Sequence, residues 1–142
     1  MTINQIQQEI IEEFGELDEW MDKYTMLIEM GNDLAPMPES EKTPENLIEG
    51  CQSRVWITAT AEEDTTMHFH AASDAVIVKG IIAMLLRVFE GQRAEDIAKA
   101  DLYFIDKIGL QEHLSPTRSN GLSSMVTRIR LMAAEIVSNH QA

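Results

Sequence analysis

Arg54-Val55-Trp56-Ile57-Thr58-Ala59-Thr60-Ala61, then Glu62-Glu63-Asp64, then Met67-His68-Phe69-His70-Ala71: this stretch decides the fold. Its first run is dense in β-branched and aromatic residues, which suit a pleated, half-buried surface. The acidic triplet breaks that run. The second run alternates apolar and polar positions, so the pair reads as an antiparallel hairpin with its turn at 62–64.

On both sides of the hairpin the period changes to that of helices. Ile3, Ile6, Ile10 and Phe14 recur at spacings of three and four, and Thr2 with Gln5 forms a capping box at the start. After Gly15 the pattern resumes at Leu17, Trp20, Met21, Tyr24, Leu27 and Ile28, and Gly31-Asn32 marks the end of a second helix. Residues 32–46, with Pro36, Pro38 and Pro44 among Glu39, Glu41 and Glu45, read as a polar connector. Leu47 and Ile48 then lead into a loop around Cys51.

Downstream, Ser73-Asp74 is a predicted helix cap. The run from Ala75 to Phe89 is apolar almost all round, which predicts a helix central to the core, ended by Gly91. Two short helices follow at Arg93–Ala100 and Leu102–Ile108, parted near Asp101 and stopped at Gly109. The cluster Ser115–Gly121 predicts a cap and turn ahead of a long helix through Leu122, Met125, Val126, Ile129, Ala133, Ile136 and Val137. Helices, then strands, then helices predict an α+β fold with one small antiparallel sheet of about three strands.

The 142 residues suit one domain, and 44% hydrophobic content is ordinary for a globular chain. The net charge of −13 is uneven: residues 1–50 carry 13 acids against Lys23 and Lys42, a net of −11. Such a chain repels phosphate backbones, which argues against nucleic acid, and its acidic face suits docking to a basic patch on another protein. No apolar run reaches the ~18–20 residues of a membrane span. The start Met1-Thr2-Ile3-Asn4 lacks the layout of a secretory signal, and with a single cysteine it points to the reducing cytoplasm.

Cys51 is the one cysteine, set in Gly50-Cys51-Gln52-Ser53. One thiol forms no internal disulfide and closes no zinc or iron–sulfur site alone, so its covalent chemistry needs a partner from outside the chain. Gly50 permits turn conformations, Gln52, Ser53 and Arg54 are polar, and Arg54 favours the reactive thiolate. His113 is a candidate base for Cys51. His68 and His70 share one strand face at a metal-ligand spacing but lack a third ligand, so no metal site is assigned. The glycines form neither GxxxxGK[ST] nor GxGxxG, and GxSxG is absent.

Leu47-Ile48-Glu49-Gly50-Cys51-Gln52-Ser53-Arg54-Val55-Trp56 resembles the sulfur-acceptor motif of the SufE family. Ser73–Gly80, His113–Leu122 and the opening helix pair with Tyr24 and Gly31 match the same family in the same order. The resemblance implies one SufE-like sulfur-acceptor domain over residues 1–142, with an IscU-like fold. It implies that Cys51 accepts sulfur as a persulfide from a SufS-like, pyridoxal-phosphate (PLP) dependent cysteine desulfurase and stimulates its turnover. The sulfur then goes to an iron–sulfur scaffold of the SufBCD kind. This chain itself binds no cofactor, since PLP belongs to the partner, and it completes no reaction alone. Asp74 and Arg118 are implied near the Cys51 loop as docking or anchoring groups, beside Gly50, Gln52, Ser53, Arg54 and His113. A monomer or a homodimer suits this role. Scaffold function is disfavoured because IscU-like scaffolds hold a cluster with three cysteines. The alternatives are a single-thiol redox sensor and a non-catalytic interaction module.

Overall fold

The computed structural model describes residues 1–48, 53–110, 112, 114 and 116–141, with the side chains of residues 116–119 and 141 outside it. Helix α1 spans Ile3–Gly15 and opens with the predicted capping box. Thr2 Oγ1 accepts from the Gln5 amide at 3.1 Å, and Gln5 Oε1 accepts from the Thr2 amide at 2.8 Å. Helix α2 spans Trp20–Asn32, starting later than Leu17 because the Leu17 amide bonds back to Phe14 C=O and closes α1.

The hairpin is β1, Val55–Ala61, antiparallel to β2, Met67–Ser73, in a register from Val55↔Ser73 to Ala61↔Met67. Val55, Ile57, Met67, Phe69 and Ala71 point to the core. Among the described residues the sheet has two strands rather than about three, extended only by the isolated bridges Leu47↔Trp56 and Thr66↔Arg93. Just upstream of Leu47, Pro44–Asn46 wind into a 3-10 turn, so the chain runs beside β1 only at its last residues.

Helix α3, Val76–Phe89, is the buried centre, with Ile81, Ile82, Met84 and Leu85 nearly inaccessible. It meets α2 backbone to backbone. A Cβ on Gly80 would lie 2.2 Å from Leu27 C=O, and one on Gly31 would lie 2.9 Å from the Gly80 nitrogen. Helix α2 ends at Asn32, as Gly31-Asn32 led one to expect, with Asp33 as its cap, and Gly31 in the last turn is also the point of contact with α3.

The short helices α4, Ala94–Lys99, and α5, Phe104–Lys107, fall within the two segments expected. Gln7, fully buried on α1, holds α5 in place: its Oε1 accepts from the Phe104 amide at 3.1 Å and its Nε2 donates to Asp101 C=O at 3.0 Å. Helix α6, Pro116–Gln141, is 26 residues long and lays Leu122, Met125, Ile129 and Ala133 against the core. Residues 116–121 are its first turns rather than a turn ahead of it, with proline at a position where a missing amide costs nothing. No described helix is long and apolar enough to cross a membrane.

Candidate functional site

The two arms that lead into and out of residues 49–52 are fixed on opposite edges of β1. On one edge the Ile48 amide donates to Val55 C=O at 2.8 Å, next to the Leu47↔Trp56 bridge. On the other, the Arg54 amide donates to Asp74 Oδ1 at 3.0 Å and the Asp74 amide donates to Arg54 C=O at 3.3 Å. The chain is thus clamped on both sides within one residue of the start of β1.

This corrects the reading of Ser73-Asp74 as a cap for α3. The N-cap residue is Ala75, without a side-chain cap bond, and Ser73 Oγ accepts from the Ala75 amide at 3.2 Å. The ladder explains the difference: with Val55 opposite Ser73, the next rung sets Arg54 opposite Asp74. The carboxylate of Asp74 therefore meets the Arg54 amide before it can reach the first turn of α3.

The incoming arm is held a second time. Arg128 of α6 donates through Nη2 to Glu45 C=O at 2.7 Å. Leu47 and Ile48 with Ser124, Thr127, Arg128 and Leu131 border an open groove of about 640 Å³. Lys42 places its amine 6.0 Å above the Trp56 ring, a cation–π contact beside the same arm. Two large apolar side chains stay exposed near this base, Leu131 at 62% and Val76 at 58%.

The structure therefore brings together Ser53, Arg54 and Asp74 among the residues picked out from the sequence. Gly50, Cys51, Gln52 and His113 lie outside the described residues. Arg118 falls in the first turn of α6, and its side chain lies outside them too. The Arg128–Glu45 clamp was not anticipated, and no sequence signal marks it, because the acceptor is a backbone carbonyl.

His68 and His70 face solvent with separate partners. His68 lies between Glu90 (Nδ1 to Oε2, 2.6 Å) and Glu62 (Nε2 to Oε2, 3.1 Å), whereas His70 meets Glu41 at 2.9 Å. The two carboxylates raise the His68 pKa above the usual imidazole value, the hydrogen bond to Glu90 being the larger cause.

Residues 8–133 match the SufE family, described as a Fe-S metabolism associated domain. The chain belongs to the SufE family. It is 47% identical over 126 residues to an uncharacterised SufE-like protein of Rhizobium meliloti, covering 86% of this chain and 90% of that one. A second uncharacterised SufE-like protein, from Rhizobium etli, is 46% identical over 126 residues, covering 86% and 85%. The solution structure of a hypothetical protein from Thermus thermophilus superposes with a TM-score of 0.77, over 94% of this chain and 96% of that one. At 20% identity that likeness concerns the fold alone. SufE membership ties the chain to iron–sulfur metabolism.

Proposed function

We propose that this SufE protein is a sulfur carrier whose Cys51 accepts a persulfide from a PLP-dependent cysteine desulfurase. The Cys51 thiolate attacks the outer sulfur of the partner's cysteine persulfide. A sulfur–sulfur bond forms at Cys51, the partner's sulfur–sulfur bond breaks, and the partner's cysteine leaves as a thiolate. Clearing that cysteine lets the desulfurase turn over again, which accounts for stimulation. The sulfur then passes to a SufBCD-like scaffold by the same exchange. The one-cysteine composition supports this reading, since no second thiol in the chain can attack the persulfide and release sulfide.

The observation that carries the proposal is the two-sided clamp at the start of β1. Ile48 on one edge and Asp74 on the other hold both arms of the segment that contains Cys51, which fixes where that segment enters and leaves the hairpin. Val76 and Leu131 offer exposed apolar surface beside it for a docking desulfurase. On this reading residues 1–142 act as one acceptor domain in the reducing cytoplasm, and Gly50, Gln52, Ser53, Arg54, His113 and Arg118 serve loop motion and docking.

The test is the intact mass after incubation with cysteine and a SufS-type desulfurase, read before and after dithiothreitol. A gain of one sulfur that the reductant removes supports the carrier, and Cys51→Ser should abolish the gain while leaving thermal stability unchanged. Reversal matters because two added oxygens nearly match one sulfur in mass, and a sulfinic acid resists reduction. No gain with an active desulfurase sinks the proposal for that partner. A reductant-resistant gain favours thiol oxidation instead.

A further inference from the structure

Away from Arg54 and Asp74, residues of α2, β2 and the C-terminal half of α3 line an open groove of about 670 Å³. Leu86 and Phe69, both buried, line it with Ala83, and Met26 and Met30 of α2 line it with Leu34 just past the helix end. Met26, Met30 and Leu34 are half-buried, and methionine side chains adapt their shape to an incoming apolar group. The groove lies roughly 20 Å along α3 from Asp74, at 1.5 Å per residue.

The rim is acidic, and its acids fall into two classes. Glu13 is engaged by Arg87, which holds its carboxyl below the usual range, and Glu90 is engaged by His68 and by the Phe69 amide. Glu29 of α2 and Asp33, its C-cap, are exposed, four residues apart, and have no ion-pair partner among the described residues. Like charges at that spacing repel one another until a cation arrives.

We infer that this groove is a second docking surface, built for an amphipathic helix of another protein with apolar anchors flanked by Lys or Arg. Apolar anchors fill the space beside Met26 and Met30, and the flanking cations meet Glu29 and Asp33. A strand is a poorer occupant. The outward amides of β2 at Met67 and Phe69 already donate to Gln92 C=O, at 2.9 Å, and to the Glu90 carboxylate, at 2.8 Å. Anionic lipid and nucleic acid are repelled by the net charge of −11 carried by residues 1–50. The inference stands apart from the sulfur-carrier reading, because a partner seated here leaves the loop base uncovered.

The probe is a fluorescein-labelled Leu/Lys peptide with leucines at helical spacing, titrated into the full chain by anisotropy. Two controls accompany it, one with alanine for leucine and one with glutamate for lysine. The Leu/Lys peptide is expected to bind and the controls are not. Glu29→Lys with Asp33→Lys should weaken binding about tenfold, whereas Glu12→Lys with Glu16→Lys, the same charge change at the end of α1, should change it less than about twofold. Amide shifts in a nitrogen–proton spectrum should cluster on α2 and the end of α3. Equal weakening by both charge pairs, or shifts gathered around Val76 and Leu131, overturns the inference. So does sedimentation showing the free chain dimerising through this face, which would make the occupant a second copy. Circular dichroism and sulfur uptake at Cys51 report whether each variant still folds, and neither is expected to move.

Discussion

At the α2–α3 seam two helices meet with nothing between their backbones, whereas the arms of the Cys51 segment are held by a few hydrogen bonds, those between Arg54 and Asp74 exposed. The seam depends on absent atoms: the contact exists because Gly31 and Gly80 carry no Cβ. The loop base depends on present ones, the carboxylate of Asp74 and the carbonyls of Val55 and Arg54. A close-packed seam resists change sharply, because neighbouring atoms have nowhere to go. A surface hydrogen bond is exchanged for water at small cost. The molecule thus holds its core by shape and the arms of the Cys51 segment by hydrogen bonds.

The largest effect is expected at the seam. Gly80→Ala sets a methyl 2.2 Å from a backbone oxygen, so the helices must part. The cost should reach about 2 kcal/mol or more, after allowing for the ~1 kcal/mol that alanine gains over glycine in a helix. Urea unfolding reads this directly. Gly31→Ala, with its nearest atom at 2.9 Å, should cost less. A Gly80→Ala protein as stable as the parent would mean that the seam relaxes freely, and the contrast with the loop base would fail.

Asp74→Ala should do the reverse, changing stability by no more than about 1 kcal/mol because the bond it breaks is exposed. The free Arg54 amide should exchange faster with solvent. If docking requires the loop to leave its clamp, removing the clamp lowers the cost of opening and strengthens apparent desulfurase binding by up to roughly fivefold. Amide exchange and a binding titration check the two halves separately. Unchanged exchange at Arg54, or a stability loss equal to that of Gly80→Ala, would show that Asp74 is part of the core's support rather than a clamp.

What the sequence revealed follows the same division. The hairpin, the capping box at Thr2 and the buried α3 were legible because each rests on local periodicity or a short motif. Gly31-Asn32 was legible as the end of α2, but the close approach that Gly31 and Gly80 permit was not, since it depends on the facing helix. Asp74 reads as a cap for a related reason: an acid before an apolar run satisfies the cap pattern, but strand register brings a competing amide within reach first. Gln7 gave no signal, being a polar residue beside an apolar stripe. No third strand forms among the described residues, and beside β1 the turn at Pro44–Asn46 leaves room for only the Leu47↔Trp56 bridge. For the site itself, the reading of Cys51 falls outside the described residues, while the support of its incoming arm at Arg128 and Glu45 is tertiary and carries no pattern.

The smallest effect belongs to the far end of the hairpin, where His68 stands between Glu90 and Glu62. Its folded pKa is raised, so the protonated imidazole stabilises the fold. That contribution is fully present below the unfolded histidine value of about 6.5 and is lost as pH rises through the higher folded value. Against His68→Gln, the parent should therefore melt higher at about pH 6, with the gap closing toward about pH 8.5. The gap should be small and should shrink with added salt, because His68 and both carboxylates are largely exposed. A gap that widens with pH would have the wrong sign for a charged imidazole between two carboxylates. The steric penalty of Gly80→Ala involves no titrating group, so it should stay constant over the same range. A pH series on both variants therefore separates what is held by charge at the surface from what is held by shape at the seam.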